Sequence, residues 1–554
     1  MDVITGQDAL SRRPLSICLI NPKFDPSFWG YDFALPLMPG DKRCWVVSGA
    51  LPALAALAPP FCAVELLDEN VEPILFEALE RFDVIGLTGM IVQGERMQQI
   101  LRELKRLPAT VVIGGPYVSV AEELFDGLCD VRFIGEADET WPAFLEAFAA
   151  NQPIQPRYQQ AEKTNMRTVP PPRYDLVKAD HYLMASLQFS RGCPFTCEFC
   201  DIITLFGRRP RLKAVDQMLE EFESVRRAGF RMCFLVDDNL IGNKKEAKKL
   251  LIALASWQER NAYPLQLFAE ASINLSEDPE FIELMIRANV RQVFVGIESP
   301  RKASLAETKK IQNVRGESML SRIQAIRDGG LVVVAGFMVG FDNDDETIFH
   351  DQFEFIREAG LANALVAILS PIPTTPLYDR LATAGRLDFD DPEVAFVPAM
   401  ISKEALKAGY DELMKRLYAP EAYFDRLFAG YRGSPAFRAR RRAMDEQIRG
   451  RPGALLAIKQ TAGALLQACK LWRTLSRRNC GRRLGGAYVR AWSRLNLPLG
   501  KDRLPLPTFV GICVVHWHFF NIANRPRRGG EFGMVFQKTM PRLAEQVPVQ
   551  ATAA

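Results

Sequence analysis

Between residues 15 and 150, short apolar runs alternate with amphipathic stretches of helical period. The runs are rich in β-branched residues and end at turn-forming residues, which is typical of buried strands. They cover Leu15–Asn21, Ala63–Leu67, Val84–Thr88, Thr110–Ile113 and Val131–Ile134. Helical patterns such as Glu95–Lys105 and Ala121–Leu128 lie between them. This alternation predicts an α/β fold with a parallel, doubly wound (Rossmann-like) sheet.

A Pro-rich stretch interrupts the alternation before it resumes. Asn151–Arg173 contains five prolines and little strand pattern, which predicts an interdomain linker. From Leu183 onward, six apolar runs follow with helical patterns between them. They cover Leu187–Ser190, Phe234–Val236, Leu267–Ala269, Val293–Gly296, Val332–Met338 and Ala364–Leu369. Six consecutive βα units predict a partial (β/α)6 barrel, with its chemistry at the carboxyl ends of its strands.

After about Leu381 the strand pattern fades and helical periodicity dominates. The clearest helical stretches are Glu404–Leu417, Glu421–Phe428 and Gly453–Leu475. The predicted organisation is therefore a doubly wound domain (1–150), a linker (151–177), a partial barrel (178–380) and a basic helical domain (381–554). The most apolar run of the last part, Phe509–Phe520, is shorter than the roughly 20 residues of a membrane span, so no transmembrane helix is predicted.

The composition is that of an ordinary globular protein, but the charge is unevenly spread. The 554 residues carry a net charge of +3, whereas Tyr431–Leu504 alone has 18 Lys and Arg against 3 Asp and Glu. Such a basic block is either a solvated helical surface or a contact for an anionic partner. Because Trp472, Tyr488 and Trp492 lie within it, we predict peripheral contact with the inner face of an anionic membrane. No nucleic-acid partner is expected.

Three of the 11 cysteines lie within eight residues: Cys193, Cys197 and Cys200. No signal-type segment opens the sequence, so a cytoplasmic, reducing environment is expected and metal binding is favoured over disulfides. A structural zinc site normally has four protein ligands, and no fourth Cys or His lies nearby. A 4Fe–4S cluster is usually held by four cysteines. Three cysteines would leave one iron open for a substrate or cofactor.

The segment Cys193-Pro-Phe-Thr-Cys197-Glu-Phe-Cys200 resembles the Cys-x3-Cys-x2-Cys hallmark of the radical S-adenosylmethionine (SAM) superfamily, with Phe199 as the aromatic residue before the last cysteine. The resemblance implies that these cysteines hold a 4Fe–4S cluster whose open iron chelates SAM. It also implies a low-potential electron donor of the flavodoxin or ferredoxin type, and a 5′-deoxyadenosyl radical. SAM contacts are then expected at Phe199 and at the strand ends, at Asp237, Asp238, Asn239, Glu270, Ser272, Asn274, Glu298, Ser299 and Gly340.

A doubly wound domain ahead of such a barrel resembles the cobalamin-binding class of this superfamily. The resemblance implies a cobalamin at the strand ends of the first domain, near Asn21, Pro22, Met90, Gly114, Gly115, Pro116, Gly135 and Glu136. The chain has four histidines: His181, His350, His516 and His518. Since none lies within residues 1–150, that domain cannot supply a histidine ligand to cobalt.

Four segments look like one branch of this class, which has a helical C-terminal domain of uncharacterised function and includes hopanoid C-2 methylase. They are Pro26–Trp29, Arg191–Ile202, Val236–Asn243 and Tyr418–Tyr423. Two others, Pro373–Pro376 and Cys44–Ala56, depart from the patterns of that branch, so the sequence does not identify the substrate.

The activity implied by the resemblance is methylation of an unactivated carbon of a small molecule or lipid. One SAM would methylate cobalamin, and the radical from a second SAM would abstract a substrate hydrogen. Two alternatives are a cyclase or rearrangement enzyme that uses cobalamin without methyl transfer, and a cobalamin-binding sensor or carrier. The cysteine triad argues against the sensor. Nothing in the sequence separates the cyclase from the methylase.

Overall fold

The computed structural model describes residues 13–391, 393–449, 454–497 and 503–525. Its N-terminal part contains a six-stranded parallel sheet in the order β3-β1-β4-β5-β6-β7. The strands of this first sheet are β1 Leu15–Asn21, β3 Cys62–Asp68, β4 Val84–Thr88, β5 Thr110–Gly114, β6 Val131–Ile134 and β7 Arg157–Gln159. A further strand, β2 Cys44–Val46, leaves this sheet and joins the second one.

Helices cover both faces of the first sheet, as a doubly wound fold requires. They are α1 Ala50–Leu57, α2 Gly94–Leu104, α3 Pro116–Val120 and α4 Thr140–Ala149. In β1, Ile17 and Leu19 pack on the side of α1 and α4, whereas Cys18 and Ile20 pack on the side of α2 and α3. The strand is apolar throughout because both of its faces are buried.

The second sheet has seven parallel strands and curls into a partial barrel, in the order β15-β14-β13-β12-β11-β8-β2. Its remaining strands are β8 Tyr182–Leu187, β11 Met232–Leu235, β12 Gln266–Glu270, β13 Val290–Glu298, β14 Val332–Val339 and β15 Ala364–Ile368. A two-stranded antiparallel pair, β9 Ser190–Arg191 and β10 Arg211–Leu212, lies beside it. The fold class predicted from the sequence, a doubly wound domain followed by a partial barrel, is confirmed.

The structure differs from the predicted elements in several places. The strand predicted at Leu187–Ser190 ends at Leu187, because the following residues turn to form β9. The helix predicted over Ala121–Leu128 is a 3-10 turn at Glu122–Phe125, since Ala121 leaves helical geometry. Four strands were not predicted: β9 and β10 beside the barrel sheet, and the strands β7 and β2. The predicted linker contains β7, and β2 carries an N-terminal segment onto the edge of the barrel sheet, where Cys44 pairs with Tyr182.

Helices surround the outside of the second sheet and then form the C-terminal part. Those of the barrel are α5 Ile202–Leu205, α6 Val215–Arg227, α7 Lys244–Arg260, α8 Pro279–Arg287, α9 Lys302–Glu307, α10 Ile311–Val314, α11 Met319–Asp328, α12 Ile348–Glu358 and α13 Pro376–Thr383. Those of the C-terminal part are α14 Lys403–Leu417, α15 Pro420–Arg432, α16 Pro435–Arg449, α17 Ala454–Ser476, α18 Gly481–Asn496 and α19 Leu506–Ala523. The helices predicted after Leu381 therefore lie within α14, α15 and α17, apart from Gly453, which is outside the described residues.

Helix α19 is the one described helix that is long and apolar enough to cross a membrane, yet 56% of that segment is buried within the protein. Both of its histidines, His516 and His518, are buried. His518 accepts a hydrogen bond from Phe33 N–H at Nδ1 (3.3 Å) and donates from Nε2 to the Phe28 carbonyl (3.3 Å). Burial lowers the pKa of His518 to about 4, so the ring is neutral at physiological pH. The helix thus fixes the N-terminal segment around Phe28.

Candidate functional site

A cavity of about 1110 Å³ lies between the two sheets. The first sheet contributes loops that follow its strands, at Thr88–Gln93, Gly114–Pro116 and Gly135–Asp138. The second sheet contributes side chains from the inside of the barrel, among them Phe234 and Phe294. This volume exceeds that of a usual single-ligand pocket, so the cavity has room for more than one bound molecule.

The barrel end of the cavity is walled by aromatic side chains. Phe234 stacks on Phe268 with ring centroids 4.5 Å apart, and Trp45 of β2 packs against both rings. Trp29 completes this wall, with its ring 5.1 Å from Phe294 and 5.8 Å from Trp45. Trp29 belongs to the segment that His518 holds. We call these five residues the aromatic wall: Trp29, Trp45, Phe234, Phe268 and Phe294. Their rings give this end of the cavity an apolar surface that binds little water.

The three cysteines follow a backbone turn that only glycine permits. Gly192 has φ +100°, and a Cβ atom there would lie 2.9 Å from the carbonyl oxygens of Gly207 and Arg209. Its N–H donates to Asp238 Oδ2 at 2.6 Å, and the N–H of Cys193 donates to Gly207 O at 3.2 Å. The start of the cysteine loop is therefore fixed before any cluster is bound.

Polar groups point at two of the three sulfur atoms. Asn239 Nδ2 lies 4.0 Å from Cys193 Sγ, and Gln312 Nε2 lies 3.5 Å from Cys197 Sγ. Burial raises the pKa of Cys200 to about 12, so its thiolate form requires a bound metal. Donors aimed at sulfur suit an anionic iron–sulfur cluster. Among the described residues, no three His, Cys, Asp or Glu side chains converge as a single metal ion would require; in a cluster each cysteine binds a different iron.

Three carboxyl groups beside the cysteine loop form no ion pair with any described residue. Within the described chain no Lys or Arg forms an ion pair with Asp237, Asp238 or Glu270. Asp237 Oδ1 accepts hydrogen bonds from Ser190, but its buried Oδ2 has no partner among the described residues. Burial, together with mutual repulsion, raises the pKa of Asp238 to about 7 and that of Glu270 to about 8. This acidic cluster is therefore suited to a positively charged ligand.

A buried ion pair lies beside the cysteines. Lys310 Nζ donates to Glu298 Oε1 at 2.7 Å and lies 5.7 Å from the centre of the Phe199 ring. Burial lowers the pKa of Lys310, but Glu298 and Cys197 raise it more, so the net shift is upward. The lysine therefore stays charged beside the sulfur atoms. Neither Lys310 nor Gln312 was predicted, because Lys310, just before α10, and Gln312, within it, carry no recognisable motif.

The remaining predicted SAM contacts fall into two groups. Asn239, Ser272 and Asn274 form a chain of hydrogen bonds, with Asn239 Nδ2 3.1 Å from Ser272 Oγ and Ser272 Oγ 2.6 Å from Asn274 Oδ1. Ser299 and Gly340 hold backbone turns instead: Ser299 Oγ accepts the Arg301 N–H, and the Gly340 N–H donates to Asp344. Neither group lines the cavity: of the predicted SAM contacts, Glu270 and Glu298 are the two that do.

The residues predicted to contact cobalamin are also of two kinds. Asn21, Met90, Gly114, Gly115, Pro116, Gly135 and Glu136 line the cavity, whereas Pro22 does not. Gly115 has φ +99°, and a Cβ there would lie 2.4 Å from Thr88 Oγ1, so two cavity loops meet at this glycine. Backbone and small residues facing a wide cavity fit a large, flat ligand.

The polar side chains of that set already have protein partners. Asn21 Nδ2 donates to Asp68 at 3.1 Å, and Asn21 Oδ1 accepts from Gln93. Glu136 Oε1 accepts from Arg191 at 2.8 Å and from Arg211 at 3.0 Å. Because Arg191 directly precedes the cysteine loop, Glu136 connects the first sheet to that loop. The sequence did not reveal this connection.

Comparison with known proteins agrees with this architecture. Residues 187–356 match the radical SAM superfamily, and residues 375–531 match a domain of unknown function, DUF4070. The chain is 36% identical to an uncharacterized methyltransferase of Synechocystis sp. over 74% of this chain and 77% of the relative. It is 33% identical to hopanoid C-2 methylase of Rhodopseudomonas palustris, over 75% of this chain and 79% of that protein.

Two solved structures share the fold at low sequence identity. The radical SAM methyltransferase TsrM from Kitasatospora setae, with cobalamin and a [4Fe-4S] cluster bound, superposes with a TM-score of 0.57 at 14% identity, covering 78% of this chain and 98% of that one. The cobalamin-dependent radical enzyme OxsB, with aqua-cobalamin and SAM bound, has a TM-score of 0.58 at 13% identity, covering 92% and 84%.

Proposed function

The chain belongs to the cobalamin-binding radical SAM family, and from this premise we propose that it transfers a methyl group to an unactivated carbon of an apolar small molecule or lipid. One observation supports this most: a single cavity joins the loops of the first sheet to the aromatic wall, with Glu270 and Glu298 beside it. Such a cavity lets two bound cofactors and a substrate meet away from water.

When bound, the cluster supplies the electron that cleaves SAM, and cobalamin supplies the methyl group. The chain's own residues bind and position these groups. We assign the cluster to Cys193, Cys197 and Cys200. The acidic cluster fits the ammonium group of SAM, and the free oxygen of Glu298 fits its ribose, with Asn239 and Ser272 orienting the cysteine loop beside them. The cavity loops of the first sheet hold cobalamin through backbone and shape.

The aromatic wall supports an apolar substrate. Burying apolar surface stabilises a complex by roughly 25 cal/mol per Å², whereas an anionic substrate would meet no cationic side chain on that wall. Abstraction of hydrogen from an unactivated carbon needs no side-chain acid or base, so none is assigned. The wall's role is to place one carbon of the substrate and to exclude water from the radical.

We also propose a cytoplasmic location and reduction by a flavodoxin- or ferredoxin-type donor. All 11 cysteines lie within the described residues and none forms a disulfide, which fits a reducing compartment. We also propose that the chain is divided into domains at 1–150, 151–177, 178–380 and 381–554. Two strands cross these boundaries: β2 joins the barrel sheet, and β7 joins the first sheet.

The test is product analysis with anaerobically reconstituted protein, a low-potential reductant and lipid or metabolite extracts from a deletion strain. A methylase should release S-adenosylhomocysteine and 5′-deoxyadenosine in comparable amounts as an extract component gains one methyl group. 5′-Deoxyadenosine without S-adenosylhomocysteine would instead support the cyclase or rearrangement enzyme. Release of neither product, with cobalamin still bound, would support the sensor or carrier.

A further inference from the structure

Helices α17 and α18 form a hairpin that carries only positive charge. Residues 454–497 contain nine Lys and Arg and no Asp or Glu. Three of these arginines, Arg483, Arg490 and Arg494, form ion pairs with Glu421 or Asp425 of α15. A second group is exposed and has no acidic partner anywhere in the described chain. Its members are Lys470, Arg473, Arg477, Arg478 and Arg482.

Large apolar side chains are exposed beside these unpaired charges. Leu466, Trp472 and Val489 are 67%, 60% and 64% exposed. Leu465, Cys469 and Trp472 follow one another at helical spacing, so they form one stripe along α17. Together with the five unpaired basic residues, Leu465, Leu466, Cys469, Trp472 and Val489 make up what we call the hairpin patch.

The patch continues from one helix to the other. A Cβ atom on Gly485 would lie 2.7 Å from the Trp472 ring, so the indole rests on α18 at this glycine. Val489 is one turn further along the same face. The other side of the hairpin is the packed one, where Leu471, Leu475 and Leu484 are buried. The patch is therefore one outer surface, not scattered residues.

Only part of the aromatic set predicted for this region reaches the surface. Tyr488 is 7% exposed and bonds to His516, with its oxygen 2.8 Å from Nδ1. Trp492 packs edge-on against Phe509 of α19 at 5.1 Å. These two rings stabilise the hairpin from inside, which leaves Trp472 as its exposed aromatic residue. The stretches 450–453 and 498–502 of the basic block lie outside the described residues.

We propose that the hairpin patch docks on the surface of an anionic lipid bilayer. An exposed apolar surface of this kind is unfavourable in water unless something covers it. Basic side chains around a tryptophan and leucines match the interfacial region of a bilayer, where phosphates meet acyl chains. A nucleic acid would use the arginines but would leave Leu465, Leu466 and Val489 uncovered. The combination therefore selects lipid over nucleic acid.

The patch lies close to the site in the fold. Helix α17 packs against the 3-10 turn Leu35–Leu37, which continues the segment carrying Trp29 and Asp32 of the cavity lining. Docking would thus bring a segment that lines the cavity near the lipid. This consequence rests on the proposed function, whereas docking itself needs no substrate, so the two are tested separately.

The test is co-sedimentation of the full-length protein with vesicles of phosphatidylcholine alone or with phosphatidylglycerol added. We expect binding to the anionic vesicles that weakens with salt and little binding to the neutral ones. Arg473→Glu/Arg477→Glu/Arg478→Glu should reduce binding at least tenfold. The matched control, Lys105→Glu/Arg260→Glu/Arg287→Glu, makes the same charge change at exposed positions elsewhere and should bind like the unchanged protein.

A second measurement tests the apolar component without changing charge. Brominated lipids should quench part of the tryptophan fluorescence, and Trp472→Phe should abolish that part. Leu465→Ser/Leu466→Ser should weaken binding several-fold. Equal binding of both triple variants, no preference for anionic vesicles, or binding to single-stranded nucleic acid without vesicle binding would each overturn the proposal. Far-ultraviolet circular dichroism of every variant shows whether it is folded.

Discussion

At the rim of the barrel, Asp237, Asp238 and Glu270 form no ion pair within the described chain, whereas on the first sheet the polar side chains near the cavity are already satisfied. Asp237 and Glu270 have raised pKa values and no ion pair within the described chain. Asn21 and Glu136 are fully engaged with protein groups. The barrel end of the cavity can thus bind a ligand through charge, whereas the first-sheet end has no free polar side chain in this pair to offer.

The difference teaches how each cofactor is held. Buried charges without partners are unfavourable until an ion neutralises them, so the rim gains most from a small charged ligand such as SAM. A neutral macrocycle gains little from charge and is held by close backbone approach and by shape. Single substitutions should therefore have large effects at the rim and small effects on ligand binding at the first sheet.

The largest expected effect is at the cysteine loop. Cys200→Ala should abolish the 4Fe–4S cluster and SAM cleavage, because the two remaining thiolates cannot hold a three-cysteine cluster. Iron and sulfide analysis and the visible absorption of the reconstituted protein measure the cluster. Cys469→Ala, at an exposed cysteine, is the control and should keep it. A full cluster in Cys200→Ala would refute the site assignment.

Glu270→Gln should weaken SAM binding about 10- to 100-fold, since a hydrogen bond to a charged group contributes about 1.5–3 kcal/mol. Equilibrium dialysis with cluster-loaded protein measures the affinity, and cobalamin content should not change. Glu259→Gln, at an exposed position at the end of α7, serves as the control. If Glu270→Gln lost cobalamin but still bound SAM, the assignment of SAM to the barrel end of the cavity and of cobalamin to the first-sheet end would be wrong.

The same carboxyl groups predict a pH dependence. Burial raises the pKa of Asp238 to about 7 and that of Glu270 to about 8, so both become charged only as the pH rises through this range. SAM binding should therefore strengthen between about pH 6 and pH 8. Without SAM, the folded state binds these protons more tightly than the unfolded state, so the free energy of unfolding should fall over the same range. A flat SAM affinity would contradict the assignment.

On the first sheet, Glu136→Gln should destabilise the protein and leave cobalamin affinity nearly unchanged. Its carboxylate is buried between Arg191 and Arg211, and removing one partner of a buried ion pair costs about 3 kcal/mol. Urea unfolding of the apoprotein measures stability, and spectrophotometric titration measures cobalamin binding. A large loss of cobalamin affinity in correctly folded variant protein would show that Glu136 contacts the ligand directly.

The sequence predicted the order of strands and helices well because long apolar runs in an α/β fold carry a clear period. It did not predict β2, since three residues show no period and its pairing with β8 is distant in sequence. The sequence predicted site residues at the strand ends where a motif marks them. Lys310 and Gln312 were not, because their contact with the cysteines depends on where α10 packs. The ion pairs of Glu136 with Arg191 and Arg211 leave no pattern in the local sequence. The same is true of the hydrogen bonds by which His518 holds the segment around Phe28.

The smallest expected effect is on the potential of the cluster. Gln312 Nε2 is 3.5 Å from Cys197 Sγ, and a donor to sulfur stabilises the more negative, reduced cluster. Gln312→Leu should therefore lower the midpoint potential while keeping the cluster and SAM binding. Electron paramagnetic resonance during an anaerobic redox titration measures this shift, with Gln99→Leu on the exposed face of α2 as the control. An unchanged or higher midpoint potential in Gln312→Leu would mean that Gln312 does not raise the potential of the cluster. The charge of Lys310 would then be the feature of the rim that sets it.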